Sequence, residues 1–367
     1  MNLKQLANPR ILDQPVYIPG KPVEKVAEQF GIAEPEIVKL ASNENPWGAS
    51  PKALEKAMDA LKKVHLYPDG SGTFLLESLA SKFSLSTDNF ILGNGSNEII
   101  ELIGHVFINE TDEIIFGEHA FAVYKLVALL MGAQPVAVEM PNLRHDLNII
   151  LEAITPKTKI VFLPSPNNPT GTANTKEEIS SFIDAMPDHV ILCLDEAYSE
   201  YLEDPLDLRP FFKTGKKVLG LRTFSKIHGL AGLRIGYGYG SKEMITLLQK
   251  VRQPFNANSI AQAAAIAALE DEDWVVQCRR RNENGLKQLE QGLKELGLEY
   301  VPSYANFILV NVGNGRKIFE ALQQKGIITR PMPNELGNYL RISIGTEIEN
   351  EKALATLEEV LPTPDLK

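Results

Sequence analysis

The chain has 367 residues, enough for one large domain plus a smaller one with an ample buried core. Hydrophobic residues make up 44% and charged residues 23%, the balance of a soluble globular protein. A formal net charge of −10 argues against a nucleic-acid surface, which needs a basic face, but leaves room for an anionic small substrate held by one or two local arginines.

No apolar segment follows the N-terminal Met1-Asn2-Leu3-Lys4-Gln5, so no signal peptide is expected, and no apolar stretch approaches the length of a membrane span. The chain is expected in the cytoplasm. Residues 1–44 read as an irregular arm with one amphipathic piece, Val23 to Phe30, after the turn Pro19-Gly20-Lys21-Pro22. From Pro51 helix-period and strand-period segments alternate. Asn97 opens a predicted helix with Ile99, Ile100, Leu102, Ile103, Val106 and Phe107 along one face. His105 falls among these and is expected to be a satisfied core residue; the six histidines have no metal-ligand spacing, so no metal is expected.

Glu113 to Phe116 reads as a strand, Phe121 to Met131 as a helix, Lys159 to Leu163 as a strand, Thr175 to Ala185 as a helix and His189 to Leu194 as a strand. Continuous apolar strands of this kind suit parallel strands buried on both faces, so residues 45–255 are expected to form a doubly wound, mostly parallel α/β domain. Cys193 lies inside one such run as a small buried thiol, and two cysteines are too few for a disulfide framework. After Pro254 the rhythm changes to long helices, Asn258 to Glu270 and Asp271 to Leu298, then strands near Phe307 and Tyr339 framing a helix from Arg316 to Lys325. Residues 256–367 are therefore expected to form a smaller α+β domain, with the arm 1–44 packed on it.

The chemistry gathers after the strands. Alone, a lysine is ordinarily a solvated surface charge. Lys226 instead follows Thr223-Phe224-Ser225 and precedes Gly229-Leu230-Ala231-Gly232-Leu233-Arg234, a tail too apolar for an exposed helix. Asp195 ends a hydrophobic strand, where an unpaired carboxylate is costly. Paired with a protonated pyridinium at about 3 Å and an effective dielectric of about 20, it would gain roughly 5 kcal/mol before desolvation. Tyr198 and Asn168 can donate to a phenolate; separately, each is also a reasonable turn residue. Gly93-Asn94-Gly95-Ser96-Asn97 leads into a helix N-terminus, a ready anion site, and Thr223, Ser225 and Arg234 can add hydroxyls and a guanidinium. An amide, a carboxylate, a phenol and an amine, in this chain order, are the parts that hold pyridoxal 5′-phosphate. Gly236-Tyr237-Gly238-Tyr239-Gly240 is not a dinucleotide fingerprint, since its third glycine is misplaced. Arg341, inside a strand, and Arg330, after one, would need anionic partners if they face inward: a substrate carboxylate for the first and a second anion for the other, or else an inter-strand ion pair.

Together with Leu40-Ala41-Ser42-Asn43-Glu44-Asn45-Pro46, Tyr67-Pro68-Asp69-Gly70 and Leu340-Arg341-Ile342-Ser343-Ile344-Gly345-Thr346, these segments resemble the fold-type I aminotransferases over nearly the whole chain. The pairing of Arg330-Pro331-Met332 with the Arg341 strand, and the arm Tyr17-Ile18-Pro19-Gly20-Lys21-Pro22, favour the histidinol-phosphate branch. The resemblance implies that Lys226 forms the Schiff base and shuttles a proton, Asp195 pairs with the ring nitrogen, and Tyr198 with Asn168 binds the phenolate. It implies that Ser96, Asn97, Thr223, Ser225 and Arg234 hold the phosphate, that Tyr124 stacks on the ring, and that Tyr67 reaches the neighbouring subunit of a homodimer. Arg341, Arg330, Asn43 and Tyr17 are then expected at the substrates, glutamate (as 2-oxoglutarate after transfer) and histidinol phosphate. An aromatic amino-acid aminotransferase, a lyase of the threonine-phosphate decarboxylase kind and a non-catalytic regulatory domain stay open as alternatives.

Overall fold

Period-2 patterning in the apolar runs sets the core before any long-range contact is considered. On Thr158–Pro164, Val161 and Leu163 face one side while Ile160 and Phe162 face the other; Leu192 and Leu194 are likewise opposed to Ile191 and Cys193. Each face belongs to a separate apolar cluster, as expected of a sheet covered by helices on both sides.

The computed structural model describes residues 2–12, 14, 16 and 20–362. Its strands are β1 (Val38–Lys39), β2 (Phe90–Gly93), β3 (Glu113–Gly117), β4 (Gln134–Val138), β5 (Thr158–Pro164), β6 (Ile191–Asp195), β7 (Val218–Thr223), β8 (Gly236–Gly240), β9 (Tyr300–Val301), β10 (Phe307–Asn311), β11 (Ile327–Ile328), β12 (Arg330–Pro331) and β13 (Tyr339–Ser343). The main sheet has the order β2-β8-β7-β6-β5-β3-β4. Strands β7, β6, β5, β3 and β4 are mutually parallel, and β8 runs antiparallel to both neighbours. The glycine–tyrosine alternation of β8 has a steric cause. Tyr237 and Tyr239 pack among Phe83 and Phe90, while a side chain at Gly236 would strike the Ser96 backbone nitrogen, 2.5 Å from the would-be Cβ. The bare face of β8 thus lets the helix Ser96–Phe107 sit against the sheet.

The helices begin where the sequence supplies caps. Thr175 and Glu178 form a capping box ahead of Lys176–Ala185, and Ser50 caps Pro51–Leu61 with proline in its first turn. Helix Ser96–Phe107 buries Ile99, Ile100, Leu102 and Ile103, each contributing about 1.5–3 kcal/mol by burial. His105 lies on the opposite face, exposed and 3.6 Å from Glu101, not in the core as expected, because the helical turn carries it away from the buried stripe.

In the smaller unit, β12-β13-β10-β9 form an antiparallel sheet and β1 pairs in parallel with β11. Its core joins Leu40, Ile308, Val310, Leu340 and Ile342 to Leu289 and Leu293 of helix Glu272–Glu295. Two boundary expectations change. Helix Ser259–Glu270, rich in alanine, packs into the larger core with Ala53 and Leu75, so the division falls at the end of this helix and not after residue 255. The arm also divides. Val26 packs with Ile328, but Arg10 pairs with Glu110 and donates to the Met131 carbonyl of the larger unit at 3.3 Å. Among the described residues, no helix is long and apolar enough to cross a membrane.

Candidate active site

Three neighbouring parallel strands, β5, β6 and β7, end side by side, where an open α/β sheet places its ligand. The Asn168 turn follows β5, Asp195 ends β6, and Lys226 follows β7 by three residues. The Asn168 turn is held by Asn167, whose amide donates to the His119 carbonyl at 3.0 Å and to Thr170 Oγ1 at 2.8 Å.

Asp195 is buried, accepts from Tyr124 Oη at 2.7 Å and from the Ala197 backbone N–H at 3.1 Å, and makes no ion pair among the described residues. Burial pushes its carboxyl up from the ordinary range, against the pull of the two donors, with Glu196 raising it further and Lys226 lowering it. A buried carboxylate served by neutral donors alone suits a cationic ligand atom. Tyr124 does not hold the position expected for a ring-stacking aromatic. Its own ring is fully buried, stacked on Phe162 at 4.7 Å and 7°, so it orients Asp195. The half-buried aromatic beside it is Phe121, edge-on at 5.8 Å.

Lys226 is half-buried, with Nζ 3.5 Å from the Ser42 carbonyl and 5.5 Å from the centre of the Tyr198 ring. Tyr198 is buried edge-on against Phe307, and its hydroxyl accepts from Asn43 Nδ2 at 3.0 Å. Asn168 Oδ1 accepts from Arg341 Nη1 at 2.5 Å, which leaves the Asn168 N–H groups as donors. Asn43 does not sit as a substrate ligand would: it is buried, and its N, O, Oδ1 and Nδ2 all bond to protein groups.

A second cluster lies at the start of helix Ser96–Phe107. Arg234 Nη1 donates to Ser225 Oγ at 3.2 Å, and the Ser225 N–H donates to Thr223 Oγ1 at 3.1 Å. A side chain at Gly95 (φ +76°) would meet Arg234 Nη2 at 2.3 Å, so this glycine lets the guanidinium lie over the helix N-terminus beside Ser96. Asn97 is exposed one residue further on. Hydroxyls, backbone N–H groups and a guanidinium at one end, a buried carboxylate at the other and an amine between them fit a pyridoxal phosphate.

On the facing unit, Arg330 and Arg341 are register partners across β12 and β13, and both are half-buried. Arg341 Nη2 also donates to the Ala41 carbonyl at 2.6 Å. Tyr67 lies away from this cluster, 83% exposed and stacked on Phe255 at 4.8 Å. Tyr17 lies outside the described residues. Sequence reasoning missed the buried pair Arg222–Glu196 (3.1 Å), with Tyr239 donating to Glu196, directly beside Asp195. A basic residue one position before the end of β7 and an acid directly after the preceding strand β6 were its only signal.

The sequence profile of aminotransferase class I and II matches residues 35–357. The chain is 46% identical, over 97% of each chain, to histidinol-phosphate aminotransferase 2 of Pseudomonas fluorescens. It is 42% identical to histidinol-phosphate aminotransferase of Akkermansia muciniphila, over 98% of this chain and all of the relative. Its fold resembles the crystal structure of histidinol-phosphate aminotransferase from Sinorhizobium meliloti in complex with pyridoxal 5′-phosphate, with a TM-score of 0.88, 27% identity and 97% coverage of both chains. The chain belongs to the class I and II aminotransferases.

Proposed function

We propose that the protein transfers the amino group between L-histidinol phosphate and 2-oxoglutarate, giving imidazole-acetol phosphate and glutamate, in histidine biosynthesis. The observation that carries this reading is the register pairing of Arg330 with Arg341. Directly opposed positions put two guanidinium-bearing residues on one face of the sheet, a basic locus suited to anionic substrate groups. The relatives' names agree in substrate, and nothing favours the aromatic or lyase alternatives.

When bound, pyridoxal phosphate supplies the electron sink for the carbanion at the substrate Cα. Lys226 would hold the cofactor through its amine and serve as the base that carries the substrate Cα proton; Asp195 would face the ring nitrogen and favour its protonated form, with Tyr124 fixing that carboxylate. Tyr198 and Asn168 donate to the phenolate oxygen. Ser96, Asn97, Thr223, Ser225 and Arg234 hold the phosphate. Arg341 grips the α-carboxylate of glutamate and Arg330 the phosphate of histidinol phosphate, so one basic pair serves two substrates that enter in turn.

The reading includes a homodimer with shared sites, in which Tyr67 reaches the neighbouring cofactor phosphate. Its support is a run of exposed apolar side chains: Leu54, Met58 and Leu61 on one helix face, with Val64, Leu66 and Phe74 exposed on either side of Tyr67 in the chain. The test compares turnover of histidinol phosphate, phenylalanine and tyrosine with 2-oxoglutarate. Preference for histidinol phosphate is expected; preference for an aromatic amino acid would reassign the substrate.

A further inference from the structure

The connection between the two units, Ala41 to Asn45, touches the site at several points. The Ala41 carbonyl accepts from Arg341, the Ser42 carbonyl from Lys226, and Asn43 donates to Tyr198. Asn43 itself is buried to 1% and held in the left-handed region at φ 53°, a conformation asparagine tolerates better than most side chains.

Proton counting fixes the direction of the bonds around it. The Asn43 backbone N–H donates to Ser343 Oγ at 2.8 Å. A backbone N–H can only donate, so the Ser343 oxygen is the acceptor there and its single proton is left for Asn43 Oδ1, 2.9 Å away. With Oδ1 assigned in this way, the atom facing Tyr198 at 3.0 Å is Nδ2, a donor. The Tyr198 hydroxyl must therefore accept from Asn43. It makes no other hydrogen bond among the described residues, so its own proton remains for a group in the site, where Lys226 Nζ lies 5.5 Å from the centre of the Tyr198 ring.

We infer that Asn43 is a positioning residue that sets the polarity of the Tyr198 hydroxyl, and that Ser343 sets the orientation of Asn43. The inference rests on the cofactor reading above and deepens it. Ser343 lies two residues along β13 from Arg341, so the strand that carries the carboxylate grip also dictates which way the phenolate donor points. Asn43→Asp is the direct probe. A carboxylate at this position keeps the bond from Ser343 but takes the Tyr198 proton for itself, removing the donor to the cofactor.

The experiment is a visible-absorption pH titration of the holoenzyme for wild type, Asn43→Asp, Tyr198→Phe and the double variant. Loss of the phenolate donor should raise the titration midpoint of the lysine-linked cofactor by on the order of one pH unit in Tyr198→Phe and in Asn43→Asp. In the Tyr198→Phe background, Asn43→Asp should add almost nothing, because there is no hydroxyl left to reverse. A wild-type midpoint in Asn43→Asp overturns the inference. So does a full additional shift in the double variant, which marks a plain charge effect. Should Asn43→Asp not accumulate folded, Ser343→Ala carries the same cycle: a raised midpoint lost in the Tyr198→Phe background supports the relay, and an unmoved or additive midpoint overturns it. A wild-type protein with no cofactor band overturns the relay and the cofactor reading together.

Discussion

Arg330 and Arg341 stand directly opposite one another across the β12–β13 ladder, with Arg341 also hydrogen-bonded to Asn168 of the larger unit. Like charges in directly opposed positions destabilise a sheet. In the proposed function this basic locus receives the anionic groups of both substrates, the carboxylate at Arg341 and the phosphate at Arg330.

That division predicts a split in kinetics. Arg330→Gln should weaken histidinol phosphate by about 10- to 150-fold, the loss of a hydrogen-bonded charged contact, while the glutamate half-reaction changes only a few-fold. Arg341→Gln should impair both. Single-turnover half-reactions with each substrate separate the effects, and equal losses in Arg330→Gln would contradict the assignment.

Tyr124→Phe removes the 2.7 Å donor to Asp195 without changing the ring that stacks on Phe162. A buried carboxylate then keeps only the Ala197 N–H, and its carboxyl is pushed further up. Cofactor affinity should fall roughly tenfold, about 1.4 kcal/mol, as the ring-nitrogen partner is less often ionised. Equilibrium dialysis of cofactor measures it; unchanged affinity would show that Tyr124 plays no part in orienting Asp195.

The ion pair beside Asp195 predicts a stability effect. Glu196 is almost fully buried and meets Arg222 through Nη2 at 3.1 Å and Nε at 3.3 Å. Arg222→Met leaves that carboxylate without its cation and should cost about 3–5 kcal/mol. Arg222→Met combined with Glu196→Leu should recover only part of it, because Glu200, 3.4 Å from Arg222 Nη1, still loses its cation. Denaturant unfolding of the single and double variants tests the pair, and equal losses would place the effect in packing instead.

Two buried histidines make stability fall in acid. Burial lowers His145 from 6.5 to about 4, with Arg144 adding to the effect, and lowers His228 to about 3, with Lys82 and Arg222 adding. Below pH 6.5 the unfolded chain takes up these protons and the folded chain does not, so stability is lost as pH falls from 6.5 toward about 4. The loss is roughly 2–3 kcal/mol for each group by pH ~4.5. In His228→Asn the difference in unfolding free energy between pH 7 and pH ~4.5 should shrink by that amount. An unchanged difference would mean that His228 is protonated in the folded state.

The sequence was informative where function ends a strand. Asp195 and Lys226 follow apolar runs whose parallel pairing puts their ends together, so local patterning and one topological rule suffice. It was uninformative where partners lie far apart in the chain. Asn43 and Tyr198 are separated by 155 positions, and nothing near either marks the other. Helical spacing could not tell whether Phe121 or Tyr124 turns inward, and only packing against Phe162 decides it. The glycines of β8 do not form a dinucleotide fingerprint, and helix Ser96–Phe107 explains why that strand face is bare. The alanine run in Ser259–Glu270 looked like the start of a new unit, though its small side chains serve close packing on the first.

In the proposed function the Lys226 amine holds the cofactor and moves the proton. The measurement is the visible spectrum of cofactor-loaded Lys226→Ala protein together with its single turnover with glutamate. Loss of the lysine-linked absorption band is expected, with a fall in the half-reaction of about 10⁴-fold, at the upper end of a general acid–base contribution. A retained band with transamination near the wild-type rate would contradict it.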